Sequence, residues 1–129
     1  MHAGLMELAG KTALVTGGGR GIGEAIAKGL AAKDVKVVVA GRGMEALEMV
    51  AAEIDGVALR LDLSERAATD HFLVELESKV GHIDILVNNA GIAESAPLHK
   101  VDDEMWDRMM EVNATGAFRL CRALIPAMV

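Results

Sequence analysis

The sequence predicts a doubly wound α/β domain, a parallel sheet with helices on both faces. Three observations predict it. Short apolar runs rich in β-branched residues alternate with helical patterns four times along the chain. A glycine cluster sits at the first strand-to-helix junction. Hydrophobic residues make up 52% of the 129 residues, enough to fill one core. Successive βαβ units with right-handed crossovers build such a sheet. Residues 1–129 read as a single domain, with no Ser/Pro-rich linker, low-complexity tract or charge block.

Each element has its own signature. Thr12 to Thr16 is a continuous apolar strand, as expected where both sheet faces are covered. Ile22 to Lys33 is a helix, with Ile22, Ile26 and Leu30 recurring every fourth position as a core-facing stripe. Val35 to Ala40 is the second strand. Met44 to Ile54 is a helix carrying Leu47, Val50, Ala51 and Ile54 on one side. Val57 to Leu61 is the third strand. Ser64 is a good N-cap for a helix reaching about Val80, whose inner face is Phe72, Leu73, Leu76 and Val80. Ile83 to Val87 is the fourth strand. Beyond a loop with Pro97, Asp102 and Asp103 open a long helix through Trp106, Met109, Met110, Val112 and Phe118 toward Leu124, with Pro126 near its end.

Charge and composition narrow the function. A net charge of -6 argues against nucleic acid, whose binders carry basic patches. The one cysteine, Cys121, excludes an intramolecular disulfide and a cysteine-cluster zinc site, and reads as a small buried hydrophobe on a helical stripe. His2, His71, His82 and His99 show no metal-ligand spacing. The N-terminus lacks a basic segment followed by an apolar stretch, and no run of about 18 apolar residues suggests a membrane span. A cytoplasmic location without a membrane partner is the expectation.

The stretch Lys11 to Gly23 carries the functional signal. Gly17 allows the tight turn off the strand, Gly21 admits a phosphate close to the backbone, and Gly23 lets the helix pack on the strand. The free N–H groups and partial positive charge at the following helix start suit a pyrophosphate. A glycine cluster alone is a weak motif, but strand before and helix after are the context that makes it specific. Roughly 20 residues further on, NAD-binding folds place an acidic residue to bond the ribose 2′-hydroxyl. This chain has Gly41-Arg42 there, and Arg20 lies within the turn. Two cations and no carboxylate favour NADP(H) over NAD(H).

Thr16-Gly17-Gly18-Gly19-Arg20-Gly21-Ile22-Gly23 resembles the TGxxxGxG turn of the short-chain dehydrogenase/reductase family. Asp62-Leu63 matches the family's aspartate near the adenine, Asn88-Asn89-Ala90-Gly91 its NNAG motif, and Asn113 the helix asparagine of its catalytic tetrad. The resemblance runs from about Leu8 to Val129 and is nearest to 3-oxoacyl-thioester and alcohol reductases. It implies a Rossmann-like sheet of order 3-2-1-4, ending after the fourth strand and the long helix. It also implies hydride transfer between NADP(H) and a small carbonyl or alcohol substrate. The cofactor-binding residues it implies are Thr16, Gly17, Gly19, Arg20, Gly21, Ile22, Gly23, Arg42, Asp62, Leu63, Asn89, Ala90 and Gly91, with Asn113 as a catalytic water-holder.

The family's other catalytic groups are a serine, a tyrosine and a lysine. The sequence contains no tyrosine, Ser64, Ser78 and Ser95 lie outside the family's positions, and Lys100 has no tyrosine partner. The expectation is the cofactor-binding half of an oxidoreductase, inactive alone. A nucleotide-binding or interaction module completed by a partner chain is the alternative. The fourth strand is expected to be an apolar edge, and Met109, Val112, Leu120 and Leu124 an uncovered stripe, which together favour self-association or a homo-oligomer. The stretch Glu94 to Lys100 is expected to border the pocket.

Overall fold

The structure is a computed structural model that describes residues 7–91 and 96–129. Four strands form a parallel sheet: β1 (Thr12–Thr16), β2 (Lys36–Gly41), β3 (Val57–Arg60) and β4 (Ile85–Val87). Their order is β3-β2-β1-β4, as the sequence predicts. Val15 pairs in register with Val39 on one side and Val87 on the other, so β1 is an interior strand of the sheet.

Period-two alternation along the strands divides the core in two. Leu14, Val38, Ala40 and Leu59 face α3 (Arg66–Lys79) and α5 (Ala117–Met128), meeting Phe72, Leu76 and Leu120. Ala13, Val15, Val37 and Val39 face α1 (Gly21–Ala31) and α2 (Met44–Ile54), meeting Ala27, Leu47 and Val50. No helix among the described residues is long and apolar enough to cross a membrane.

Three local readings of the sequence are corrected. Ile22 is 74% exposed and does not belong to the core stripe of α1. The helix turns Gly23 and Ala27 to the sheet instead, because its first turn sits directly on the Gly17 carbonyl and only a glycine fits between them. Ser64 does not cap α3. Its hydroxyl donates to Asp62 Oδ1 at 2.6 Å, and Glu65 occupies the cap position without a side-chain bond. Cys121 is only half-buried, with Asn88 Nδ2 donating to its Sγ at 3.3 Å.

The long helix is the largest departure. Asp102 caps α4 (Asp103–Met110) by accepting the Met105 N–H at 2.8 Å. A π-helical segment, Glu111–Gly116, then joins α4 to α5. Pro126 lies inside the last turn of α5, near its end as the sequence predicts. Of the stripe expected to be uncovered, Leu120 is fully buried, Val112 nearly so, and Leu124 packs on the same cluster. The bare apolar residues are Trp106, Met110, Phe118 and Ile125. Gly116 permits the close approach that buries this face: a Cβ there would lie 2.9 Å from Leu63 Cβ.

The strand β4 is short, and a polar clasp fixes its start. Asp84 N–H donates to the Thr12 carbonyl at 2.8 Å, and Thr12 N–H donates to Asp84 Oδ2 at 2.9 Å. His82 Nε2 lies 2.9 Å from Asp84 Oδ1. The Thr12 amide outweighs desolvation and, with His82 and Lys11 nearby, holds the Asp84 carboxyl below the usual carboxylate range. A depressed carboxyl adds stability fully above its unfolded pKa, near about 4, and loses it as pH falls through the lower folded value. Asp84→Asn is therefore expected to lower stability at neutral pH, with the gap to wild type narrowing below about pH 4. Urea unfolding across that range checks it. A gap that stays constant with pH would remove the carboxylate's ionisation from the account.

Candidate functional site

The carboxyl ends of the strands open on a cleft of about 780 Å³. Doubly wound sheets bind ligands in this position, where the connections leave in opposite directions. Strand ends, the loops after them and three helical segments build the walls. The turn after β1 supplies Gly17, Gly19, Arg20, Gly21 and Ile22. The end of β2, the connection after it and the first turn of α2 supply Gly41, Arg42, Gly43, Ala46 and Leu47. Leu61, Asp62 and Leu63 follow β3, Asn89, Ala90 and Gly91 follow β4, and Val112 closes the side.

The turn after β1 is built for close approach. Gly21 has φ +58°, in the left-handed region, and a Cβ there would have no protein atom within 4 Å. The space above it is open to a ligand. Arg20 precedes α1 in an extended conformation and makes no side-chain cap, so the first N–H groups of the helix are not covered by its side chain. Free N–H groups and the dipole at a helix start favour negative charge nearby.

Thr16 is nearly fully buried and does not line the cleft. Its hydroxyl accepts from the N–H groups of Asn89 and Ala90 at 3.1 and 2.9 Å and donates to the Val87 carbonyl at 3.3 Å. Asn89 Nδ2 donates to the Gly17 carbonyl at 3.2 Å. These bonds tie the loop after β4 to the glycine turn, so the two walls hold their spacing. Gly23 likewise supports the turn from beneath without lining the cleft.

Asp62 is oriented from its own loop, accepting from both the N–H and the hydroxyl of Ser64. Partial burial raises its pKa, but the two Ser64 bonds and the charges of Arg42 and Arg60 prevail and hold the carboxyl below the usual range. It is an anion at neutral pH and a fixed acceptor on the cleft wall.

Asn113 lies in the π-helical segment, a local widening that recurs at functional sites. Its Oδ1 sits 3.1 Å from where a Cβ on the cleft residue Gly91 would be, although Asn113 does not itself line the cleft. Residues 92–95, which include the start of the predicted pocket border Glu94 to Lys100, lie outside the described residues. The short turn Leu98–Lys100 that follows is exposed.

A second hollow, between α3 and α4, is crossed by the Arg66–Glu111 ion pair at 2.8 Å. Its charges include partners for each other rather than only for a ligand. Among the described residues no group of three or more His, Cys, Asp or Glu is placed to hold a metal ion.

The sequence reading named most of the cleft but missed Gly41, Gly43, Ala46, Leu47, Leu61 and Val112. Gly41 and Gly43 flank Arg42 and were a usable signal. Leu47, Leu61 and Val112 carry no signal that separates a cleft wall from an ordinary core position.

The short chain dehydrogenase family model matches residues 11–129. A sorbitol dehydrogenase of Cereibacter sphaeroides is 39% identical over 96% of this chain and 49% of its own length. A 3-oxoacyl-[acyl-carrier-protein] reductase of Escherichia coli is 37% identical over 96% of this chain and 52% of its own. A blue fluorescent protein from a metagenomic library, solved in complex with NADPH, superposes with a TM-score of 0.87 at 30% identity, covering 95% of this chain and 53% of that one. The chain thus spans about half the length of the relatives it matches.

Proposed function

Since the chain belongs to the short-chain dehydrogenase family, we propose that it forms the cofactor-binding portion of an NADP(H)-dependent oxidoreductase acting on a small carbonyl or alcohol. One observation carries the cofactor choice. Arg42, not a carboxylate, follows β2 at the position that faces the adenosine ribose in such sheets.

The residues present fit a dinucleotide. The open space over Gly21 and the start of α1 would take the pyrophosphate. Asp62 and Leu63 would border the adenine, and Arg42 with Arg20 would meet a 2′-phosphate. Asn89, Ala90 and Gly91 would border the nicotinamide end. When bound, the nicotinamide supplies or accepts the hydride. This chain's own contribution is to orient the dinucleotide, and Asn113 would hold a water for proton relay to groups of the family's tetrad. With no tyrosine in the sequence to act as proton donor, the 129-residue chain alone is expected to bind without turning over. Its proposed partner is a second copy, through the exposed band of Trp106, Met110 and Phe118.

Titration of the protein with NADPH and NADH, followed by nicotinamide fluorescence, tests the reading. Charge-assisted bonds to a phosphate predict NADPH to bind about tenfold or more tightly. Arg42→Asp is expected to reverse the order, because it removes a cation and adds an acceptor for a 2′-hydroxyl. Failure to bind either nucleotide would remove the proposal. Equal affinities would remove the cofactor choice alone.

A further inference from the structure

The seven arginines of the chain divide into two groups. Four are engaged by the protein. Arg66 pairs with Glu111, Arg108 with Glu104 and Arg119 with Asp70, and Arg122 lies over the Phe118 ring. The other three, Arg20, Arg42 and Arg60, make no ion-pair contact among the described residues. All three stand at the carboxyl end of the sheet. Arg20 and Arg42 line the cleft. Arg60 is the last residue of β3 and was not singled out by the sequence reading.

The backbone sets where Arg60 stands. Arg60 pairs in register with Gly41, and Leu61 N–H donates to the Gly41 carbonyl at 2.8 Å. The end of β3 is therefore locked beside Gly41-Arg42. Alternation along β3 puts Leu59 in the core on the α3 and α5 face, so Arg60 points to the opposite face. Gly41 lies on that same face, where a Cβ would come within 3.8 Å of Leu47 of α2, so Arg60 and Arg42 flank a position that carries no side chain of its own. Arg60 is exposed, and its charge is felt at Asp62, as is that of Arg42.

One carboxylate, Asp62, thus stands near two arginines that make no ion pair of their own among the described residues. From this juxtaposition we propose that Arg60 is a further specificity residue, meeting the adenosine 2′-phosphate from the β3 side while Arg42 meets it from β2. The proposal rests on the NADP(H) reading above and deepens it. A phosphate dianion offers three oxygens, enough for two guanidinium groups approaching from different sides. A 2′-hydroxyl has no charge to offer, so Arg60 should contribute little to NADH. The side chain is exposed and outside the core, so its replacement leaves the fold in place.

The test is equilibrium titration of wild type, Arg60→Gln, Arg60→Lys and Arg42→Asp with NADPH, NADH and 2′-AMP. Far-UV circular dichroism checks that each variant is folded. Arg60→Gln is expected to weaken NADPH and 2′-AMP by roughly three- to tenfold with NADH unchanged. It should also lower the salt dependence of NADPH binding. Arg60→Lys should recover part of the loss. If Arg42→Asp changes the NADPH/NADH ratio and Arg60→Gln does not, the role of Arg60 is overturned while the cofactor reading stands. If wild type shows no preference and neither variant alters the ratio, both fall. Equal weakening of NADPH and NADH by Arg60→Gln would assign Arg60 to the shape of the β3 end and also overturn the proposal.

Discussion

Gly21→Val is expected to abolish NADPH binding while leaving the secondary structure close to wild type. The residue has φ +58°, where a β-branched side chain is strongly disfavoured. Holding valine there costs about 1–3 kcal/mol. The added atoms meet no protein, since nothing lies within 4 Å of the position a Cβ would take. They enter the open space over the start of α1, where the pyrophosphate would lie, and would also tilt the first N–H groups away from it. Strain and obstruction together should weaken NADPH at least about 100-fold, or roughly 2.7 kcal/mol. Titration beside circular dichroism reads both effects. Binding within about threefold of wild type would move the phosphate site away from this turn. Gly23→Val makes a useful contrast, because its side chain would collide with the Gly17 carbonyl and the Asn89 amide. There the damage falls on folding as well as on the ligand.

Leu120→Ala is expected to be among the most destabilising single changes in the chain. Leu120 is fully buried, in the cluster that joins α5 to Leu14, Leu61 and Phe72. Removing a buried leucine to alanine costs about 2–5 kcal/mol, from lost transfer energy and the cavity left behind. For a domain of this size that corresponds to a fall in Tm of roughly 8–20 °C. Thermal unfolding checks it, and a shift under about 3 °C would mean that α5 does not pack on the sheet through this residue. Phe118, two positions earlier, is 58% exposed. Phe118→Ser should leave Tm nearly unchanged, and in sedimentation it should reduce the self-association proposed for that face. If Phe118→Ser destabilised the monomer as much as Leu120→Ala, the exposed and buried faces would have been exchanged.

These two residues show where a sequence stops being readable. Both lie in an apolar helix, and periodicity assigns a buried face only by supposing a regular 3.6-residue turn. The π-helical segment Glu111–Gly116 breaks that regularity just before them. No residue type announces it, because it forms as the helix settles against Leu63 and the sheet, with Gly116 giving the room. Ile22 failed in a similar way. It has the spacing of a core residue, but the contact of Gly23 with Gly17 turns the helix so that Ile22 faces the cleft. Ser64 had the chemistry of a cap, but the Asp62 carboxylate two residues away engaged its hydroxyl first.

What the sequence determined by itself was the layout. Four apolar strands in chain order, each followed by a helical pattern, admit few right-handed arrangements, and the observed order β3-β2-β1-β4 is among them. The glycine turn, Arg42, Asp62 and the loop after β4 were legible because each depends on local chemistry: a positive φ, a charge, a strand-end turn. The tertiary structure decided what depends on two distant segments meeting. It made Thr16 a tie to Asn89 and Ala90 rather than a cleft wall, and it turned Leu47, Leu61 and Val112 into cleft walls. It also set Arg60 beside Gly41, 19 positions earlier in the chain, through pairing of β2 with β3. Register and packing couple residues far apart in sequence, and local patterns carry no record of that coupling.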